Sequence, residues 1–156
     1  MNSRIASTVD RGERLEYVSH ELLQGAALLT RLLVRELGGD LSRTEVGLLN
    51  TVSGGPRRIT ELAELEGLAQ PTTTILVQQL EERGLVRRGR DEGDGRVVLV
   101  HETDAGHRAL EDYRGRAQEL LGRYLNEMPD QQVEELAAAA DAVTRLVTLV
   151  QAHSAR

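Results

Sequence analysis

Residues 59–100 read ITELAELEGLAQPTTTILVQQLEERGLVRRGRDEGDGRVVLV, and this stretch decides the fold. Thr60 is a helix-capping residue type, so a short helix is expected over residues 61–66, and the glycine that follows ends it. Pro71 suits the first turn of a helix, where its missing N–H is not needed, and a second helix is predicted over residues 70–83. Two helices of this length joined by a tight turn form a helix-turn-helix.

Two short β-prone runs follow, over residues 85–90 and 96–100. The polar segment Asp91–Gly95 between them is of the kind that joins the strands of a hairpin. The sequence therefore predicts a two-stranded wing directly after the helix-turn-helix.

The second helix of the pair has two distinct faces. The face predicted to point inward carries Thr73, Leu76, Val77 and Leu80. The opposite, mostly polar face carries Gln70, Thr72, Thr74, Ile75, Gln78 and Gln79. Glutamine can pair with N6 and N7 of adenine, and threonine can reach a phosphate or touch a thymine methyl group. Such residues are also expected on any solvated helix, so base reading by particular residues stays open.

Long helices are predicted on both sides of this winged lobe, which we define as residues 42–102. Apolar residues at helical spacing predict a first helix over residues 15–37. Ser42 and Glu45 have the spacing of a capping box at the start of the next helix. Beyond the wing, residues 104–151 hold two more helical patterns, and the last has the alternating three- and four-residue steps of a helix packed lengthwise on another.

Composition restricts the class of protein. The 156 residues fit one domain, and 40% apolar with 28% charged residues argues against both disorder and a membrane protein. The absence of cysteine excludes disulfides, thiolate metal sites and thiol-based sensing. Since no apolar run resembles a signal peptide or a membrane span, a cytoplasmic location without membrane contact is predicted.

The charge distribution is uneven. The net charge of -6, from 25 acids and 19 bases that are all arginine, argues against nucleic acid when taken whole. Residues 83–90, however, contain four arginines and no acid, and Arg96 closes the hairpin. A basic patch beside a recognition-type helix favours DNA binding, and ordinary solvated arginines on a strand edge are the alternative.

The order of these elements resembles the MarR family of bacterial transcriptional regulators over residues 15–150. The resemblance is carried by Leu62-Ala63, by Gln70–Thr74 leading to Leu80–Val86, by Asp91–Arg96 and by Thr103–Gly106. It implies a single MarR-like domain over residues 1–156, mainly α with a small β-hairpin wing. In such a fold, residues 15–37 and 104–151 are dimerisation helices, and the two winged lobes of a homodimer bind a palindromic operator in double-stranded DNA.

The resemblance also implies which side chains contact DNA. Arg96 matches the arginine of the family's Asp-x-Arg wing motif, which enters the minor groove, and Asp94 matches the aspartate that orients it. The full set of expected DNA-binding residues is Gln70, Pro71, Thr72, Thr73, Thr74, Gln78, Arg88, Arg90, Asp94 and Arg96. Many relatives carry arginine where this chain has Ile75, Gln79 and Gly95, and fewer charged contacts predict a shallower salt dependence of binding.

The function that follows is sequence-specific transcriptional regulation, as a repressor that a small-molecule effector releases from its operator. In the family, effectors bind between the dimerisation helices and the winged domain. An anionic or aromatic effector is therefore one interpretation of Arg11, Arg14, Tyr17 and His20, and a plain helix surface or a dimer contact is the other. The alternative function is a winged-helix module that binds protein and not DNA.

Enzymatic and metal chemistry have little support. Neither a catalytic constellation nor a Gly-x-Ser-x-Gly nucleophile motif is present, so the chain is not predicted to be an enzyme or to hold a cofactor. His101, Glu102 and His107 lack the His-Glu-x-x-His spacing of a zinc site, and no metal site is predicted.

Overall fold

The computed structural model describes residues 10–90 and 97–154, without the side chain of Ser154. It confirms a mainly α fold with a small antiparallel sheet. In chain order the described elements are α1 (Arg11–Leu37), α2 (Arg43–Ser53), β1 (Arg57–Arg58), α3 (Ile59–Leu65), α4 (Gln70–Glu82), β2 (Val86–Arg90), β3 (Val98–Glu102), α5 (Asp104–Leu125) and α6 (Asp130–Ser154). The chain divides into two compact units, Met1–Ala117 and Gln118–Arg156.

The starts of α2 and α3 are fixed by carboxylates in their first turns. At α2, the Ser42 hydroxyl accepts from the Glu45 N–H at 3.3 Å, and the Glu45 carboxylate accepts from the Ser42 N–H at 2.7 Å, which confirms the predicted capping box. At α3, the Glu61 carboxylate accepts from the Arg58 N–H at 2.8 Å. The cap of α3 is therefore Arg58, and the prediction of Thr60 as the cap is wrong by two residues.

The sheet has three strands in the order β1-β3-β2, and both pairings are antiparallel. Val100 of β3 lies opposite Arg88 of β2 and opposite Arg57 of β1. The predicted two-stranded wing thus has a third strand, β1, which the sequence pattern did not indicate because two residues are too few to show an alternation.

The winged lobe has an aliphatic core, and none of the three tyrosines belongs to its cluster of buried residues. Leucine and valine from α2, α3, α4, the sheet and α5 fill it. The most deeply buried members are Leu48, Leu49, Leu62, Val77, Leu80, Val100 and Leu110. The cluster runs from Leu41 to Leu110, so the lobe shares its core with the first part of α5, and all of its members belong to the first unit.

The junction between the sheet and α5 is tightly built. The Thr103 hydroxyl lies 2.7 Å from the Gly84 carbonyl and 3.0 Å from the Leu85 carbonyl, and it accepts from the Gly106 N–H at 3.0 Å. A Cβ added to Gly106 would stand 2.0 Å from the Leu85 carbonyl oxygen. Glycine is therefore required where the first turn of α5 crosses the start of the wing.

The two terminal helices have a different character. Helix α1 contains no buried residue along its length. In the C-terminal unit, every residue of α6 from Glu134 to His153 is exposed. Across residues 10–90 and 97–154, no helix is both long and apolar enough to cross a membrane.

Candidate nucleic-acid interface

Helix α4 is anchored on the core by one face. Val77 and Leu80 are each 1% exposed, and Leu76 packs against the same cluster, as the predicted inward stripe requires. Buried side chains on successive turns prevent the helix from rotating about its axis. The orientation of its opposite face is therefore fixed by the core.

Thr73 belongs to the buried stripe of α4. It is 0% exposed, and its hydroxyl donates to the Ala69 carbonyl at 3.3 Å. The sequence placed Thr73 both on the inward stripe and among the DNA-binding residues, and only the inward position agrees with the structure. A side chain enclosed by the core cannot reach a duplex, so we remove Thr73 from the candidate contacts.

The remaining predicted residues of α4 lie together on its solvent side. We call this surface the outward face, and it consists of Gln70, Pro71, Thr72, Thr74, Ile75, Gln78 and Gln79. The Thr74 hydroxyl donates to the Gln70 carbonyl at 2.9 Å, and the Gln78 amide donates to the Glu82 carboxylate at 2.9 Å. The outward face is thus exposed and free of arginine, and two of its side chains are held in place by hydrogen bonds.

Arg83 belongs to the acid-free stretch predicted to face DNA, but it points elsewhere. Its guanidinium lies 2.7 Å from the Glu45 carboxylate and donates to the Asp40 carbonyl at 2.8 Å. The side chain thereby connects the end of α4 to the capped start of α2. This arginine has a structural partner that is distant in sequence, which a local count of acids could not reveal.

The arginines of β2 fall on two faces of the strand. Arg88 and Arg90 alternate with Arg87, so they share the face of the buried Val86. The Arg88 Nε lies 3.5 Å from a Glu81 oxygen, and the Arg88 N–H donates to the same carboxylate at 2.9 Å. Arg88 is therefore partly neutralised, while no described carboxylate forms an ion pair with Arg87 or Arg90.

The side chains of Arg87 and His101 lie close together next to Gly89, and the sequence pattern did not predict this pair. A Cβ built on Gly89 would stand 2.9 Å from the His101 Nε2 and 3.2 Å from an Arg87 guanidinium nitrogen. The His101 Nε2 is buried and has no hydrogen-bond partner among the described residues. The strand register, which sets Arg87 opposite His101, is the signal that brings these two side chains together.

The tip of the wing, residues 91–96, lies outside the described residues. Asp94 and Arg96 belong to it, so their roles in the minor groove stay predictions. The described part of the hairpin extends to Arg90 on one strand and resumes at Val97, just before β3, on the other.

The other candidate sites are weak. Tyr17 and His20 line a shallow hollow on α1 with Glu13 and Glu16, and two carboxylates there disfavour the anionic effector that Arg11 and Arg14 suggested.

The histidines near the wing do not form a metal centre. The His107 Nδ1 lies 3.4 Å from the Glu102 carboxylate, but adjacent strand residues face opposite ways, so His101 is not part of this pair. Within the described ranges, no group of three or more His, Asp or Glu side chains is placed to hold a metal ion.

Known proteins share the winged lobe. The sequence model of the MarR family matches residues 39–97, which run from just before α2 into the hairpin. An uncharacterised HTH-type transcriptional regulator of Bacillus subtilis, YpoP, is 30% identical over 84 residues, which is 53% of this chain and 60% of that protein. The match therefore spans less than two thirds of that relative's length.

The matches to solved structures cover more of this chain than the match to YpoP does. A MarR family protein from Bacillus stearothermophilus has a TM-score of 0.68 and 27% identity, covering 87% of this chain and 97% of that one. The transcriptional regulator BldR from Sulfolobus solfataricus has a TM-score of 0.59 and 28% identity, covering 81% of this chain and 94% of that one. The matched proteins are regulators, and the prediction that the chain is not an enzyme is confirmed on that ground.

Proposed function

Since the chain belongs to the MarR family, we propose that it is a sequence-specific DNA-binding transcriptional regulator that acts as a homodimer. The observation that carries the proposal is the orientation of α4. Its buried stripe fixes the helix on the core, its outward face is exposed to solvent, and the arginines of β2 follow it in the chain. A helix presented in this way fits the major groove of B-DNA, where base edges can be read.

The wing supplies the electrostatic part of the proposed interface. Arg87, Arg90 and Arg96 are the wing cations that we assign to the phosphate backbone and the minor groove. Arg96 would enter the minor groove, with Asp94 orienting its guanidinium. Because α4 itself has no arginine, most of the nonspecific attraction to DNA rests on these wing residues.

The terminal helices support the homodimer. Leu15, Val18 and Leu29 of α1 are 57%, 51% and 47% exposed, and α6 exposes Leu146 and Val147 at 44% and 48%. Apolar stripes of this length are normally covered by another protein surface. A second copy of the chain offers the same stripes, and a two-fold dimer would present two α4 helices to an inverted repeat with half-sites roughly 10 base pairs apart.

The regulatory consequences are part of the same proposal. A dimer bound at a promoter would block transcription, so we assign the chain as a repressor that works in the cytoplasm. A small-molecule effector would release it by binding preferentially to a dimer whose α4 helices are wrongly spaced for the operator.

The test begins with a random duplex library. Fragments retained by the full-length protein are sequenced, and their affinity is measured by fluorescence anisotropy over a range of salt. A shared inverted repeat and a salt slope of about 0.9 for each phosphate contacted are expected. Retention of no sequence above background, with a flat salt response, would favour the protein-binding module instead.

Arg96 provides the sharpest single test of the wing. Replacing it with Ala should weaken binding of the selected duplex by roughly 1 to 3 kcal/mol, because a groove contact is lost, while the protein stays dimeric. Anisotropy at fixed salt measures the affinity, and sedimentation velocity checks the assembly. Unchanged affinity in a dimeric variant would contradict the role assigned to Arg96.

A further inference from the structure

Ile75 stands at the centre of the outward face. It is 57% exposed. At 3.6 residues per turn, it lies roughly 200° around the helix axis from the buried Thr73, so its side chain points directly away from the core. Its neighbours one turn away are Pro71, Thr72, Gln78 and Gln79, none of them buried. Ile75 therefore packs against no part of the lobe's core.

Stability does not explain isoleucine at this position. A β-branched side chain loses rotamer freedom in a helix, and an exposed apolar side chain gains nothing from burial. The inward stripe is already complete through Thr73, Val77 and Leu80. An isoleucine on the solvent side of α4 thus contributes to the fold less than a glutamate or glutamine would.

The polar groups around Ile75 restrict what the helix can recognise. The hydroxyl proton of Thr74 is used within the helix, and the Gln78 amide is engaged by Glu82. Residues 70–82 contain no arginine, whose bidentate contact with O6 and N7 is the commonest way to read guanine. Ile75 is therefore the side chain at the centre of this face that can read a base by apolar contact, while Thr72 and Gln79 beside it offer hydrogen bonds.

We propose that Ile75 reads a thymine in each half-site through the C5 methyl group that thymine presents in the major groove. The proposal rests on the DNA-binding function proposed above and adds the base type that α4 selects. In B-DNA the thymine methyl is the one apolar group on the major-groove edges of the bases, so an apolar side chain there distinguishes thymine from cytosine. Contact between the two removes apolar surface of both from water.

The experiment removes the methyl group from the DNA and the side chain from the protein independently. The probe is the duplex selected from the random library by the wild-type protein, synthesised once with thymidine and once with deoxyuridine. Wild-type protein should bind the thymidine duplex about fourfold more tightly for each half-site, as expected for one buried methyl-sized group. For Ile75→Ala, which removes three of the four side-chain carbons and so most of the apolar contact, the ratio of the two affinities should fall toward one.

A matched control distinguishes this role from a general apolar effect. Leu65 of α3 is 64% exposed and lies outside α4, so Leu65→Ala removes a similar exposed side chain and should keep the wild-type ratio. In a repeated selection, Ile75→Arg should enrich guanine at the positions where the wild type enriches thymine, because arginine pairs with O6 and N7.

The outcomes separate this proposal from the one on which it rests. If wild type and Ile75→Ala bind the selected duplex and show the same thymidine-to-deoxyuridine ratio, the role of Ile75 is overturned while DNA binding stands. If the wild type selects no duplex, the DNA-binding function itself fails.

Discussion

The winged lobe and the terminal helices use the same apolar residue types in opposite ways. Leu48, Leu49 and Leu62 in the lobe are at most 1% exposed. Leu28 and Leu29 of α1 are close to half exposed. Leucine is at least as frequent in α1 as in the lobe, so composition alone does not separate a region that completes its own core from one that does not.

The difference indicates which properties belong to one chain and which to an assembly. A closed core fixes the orientation of α4 within a single protomer. The spacing between two recognition helices, by contrast, would be set by α1 and α6 only when a second copy covers them. Affinity for an inverted repeat is then a property of the dimer, whereas base preference is a property of each lobe.

Removal of α6 tests this division most strongly. A chain cut before Pro129 should sediment as a monomer and lose on the order of 10²- to 10⁴-fold in affinity for the selected duplex, because the second half-site no longer binds as a linked event. Sedimentation velocity and anisotropy measure the two losses. A cooperative thermal transition by circular dichroism should persist, since the core between Leu41 and Leu110 is intact.

The opposite result is equally clear. A truncated chain that still sediments as a dimer would show that α6 is not required for assembly. The apolar stripe of α1 would then be the surface that a second copy covers.

Two leucine substitutions sharpen the same comparison. Leu62→Ala should lower the free energy of unfolding by about 2 to 5 kcal/mol, because it leaves a cavity in the closed core, and the effect should be the same at every protein concentration. Leu29→Ala should instead raise the dissociation constant of the dimer, so its loss of stability should depend on protein concentration and vanish where both proteins are monomeric. Urea denaturation at several protein concentrations measures both.

One result would contradict the contrast between the closed core of the lobe and the exposed leucines of α1. If Leu29→Ala destabilised the protein by as much as Leu62→Ala and without concentration dependence, α1 would be part of the protomer's own core.

Local signals in the sequence predicted most of the lobe. The capping box of Ser42 and Glu45 and the stripe of Val77 and Leu80 depend on residues within one or two turns of each other, so spacing alone reveals them. Strand β1 depends on pairing with β3, some 40 residues away, and its two residues carry no period of their own. The sequence predicted elements stabilised by near neighbours and missed those stabilised by distant ones.

The candidate site shows the same limit. Its helix and its strands were found, but the state of each arginine depends on partners that a local window does not contain. Arg83 pairs with Glu45, 38 positions away, and Arg88 pairs with Glu81, which precedes the acid-free stretch. Thr73 was assigned two incompatible roles because residue type suggested DNA contact and position in the stripe required burial.

Glycines at two positions of α5 should respond in opposite directions. Gly106→Ala should destabilise the lobe by about 1 to 3 kcal/mol, because the new Cβ would stand 2.0 Å from the Leu85 carbonyl oxygen and the backbone has to move. A Cβ added to Gly115 would meet nothing within 4 Å beyond its own stretch of helix, so Gly115→Ala should raise stability by about 0.5 to 1 kcal/mol through helix propensity. Thermal and urea unfolding measure both changes.

This pair tests whether the junction of the wing and α5 is rigid. If both alanine substitutions changed the stability by similar small amounts, the backbone near Leu85 would be able to move away from the added methyl group at a small cost in free energy. The position of the wing relative to α4 would then be adjustable, contrary to the fixed geometry on which the proposed interface depends.

The smallest expected changes in stability and affinity distinguish an arginine that stabilises the fold, Arg83, from one that is proposed to contact DNA, Arg87. Arg83→Ala should lower the free energy of unfolding by only about 0.2 to 1 kcal/mol, because the pair with Glu45 is partly exposed to water, and should leave affinity for the selected duplex within about twofold. Arg87→Ala, which removes a cation without a described carboxylate partner, should weaken binding and reduce the salt slope by about one.

Anisotropy titrations of both variants across a salt series provide the comparison, and urea unfolding provides the stability. The two substitutions delete the same side chain four positions apart, so their net charges are equal and general electrostatic attraction cannot distinguish them. Equal losses of affinity would mean that long-range charge governs binding. A loss confined to Arg87→Ala would mean that the position of each guanidinium governs the affinity for DNA. That result is expected because Glu45 and the Asp40 carbonyl hold Arg83 at α2, directed away from the duplex.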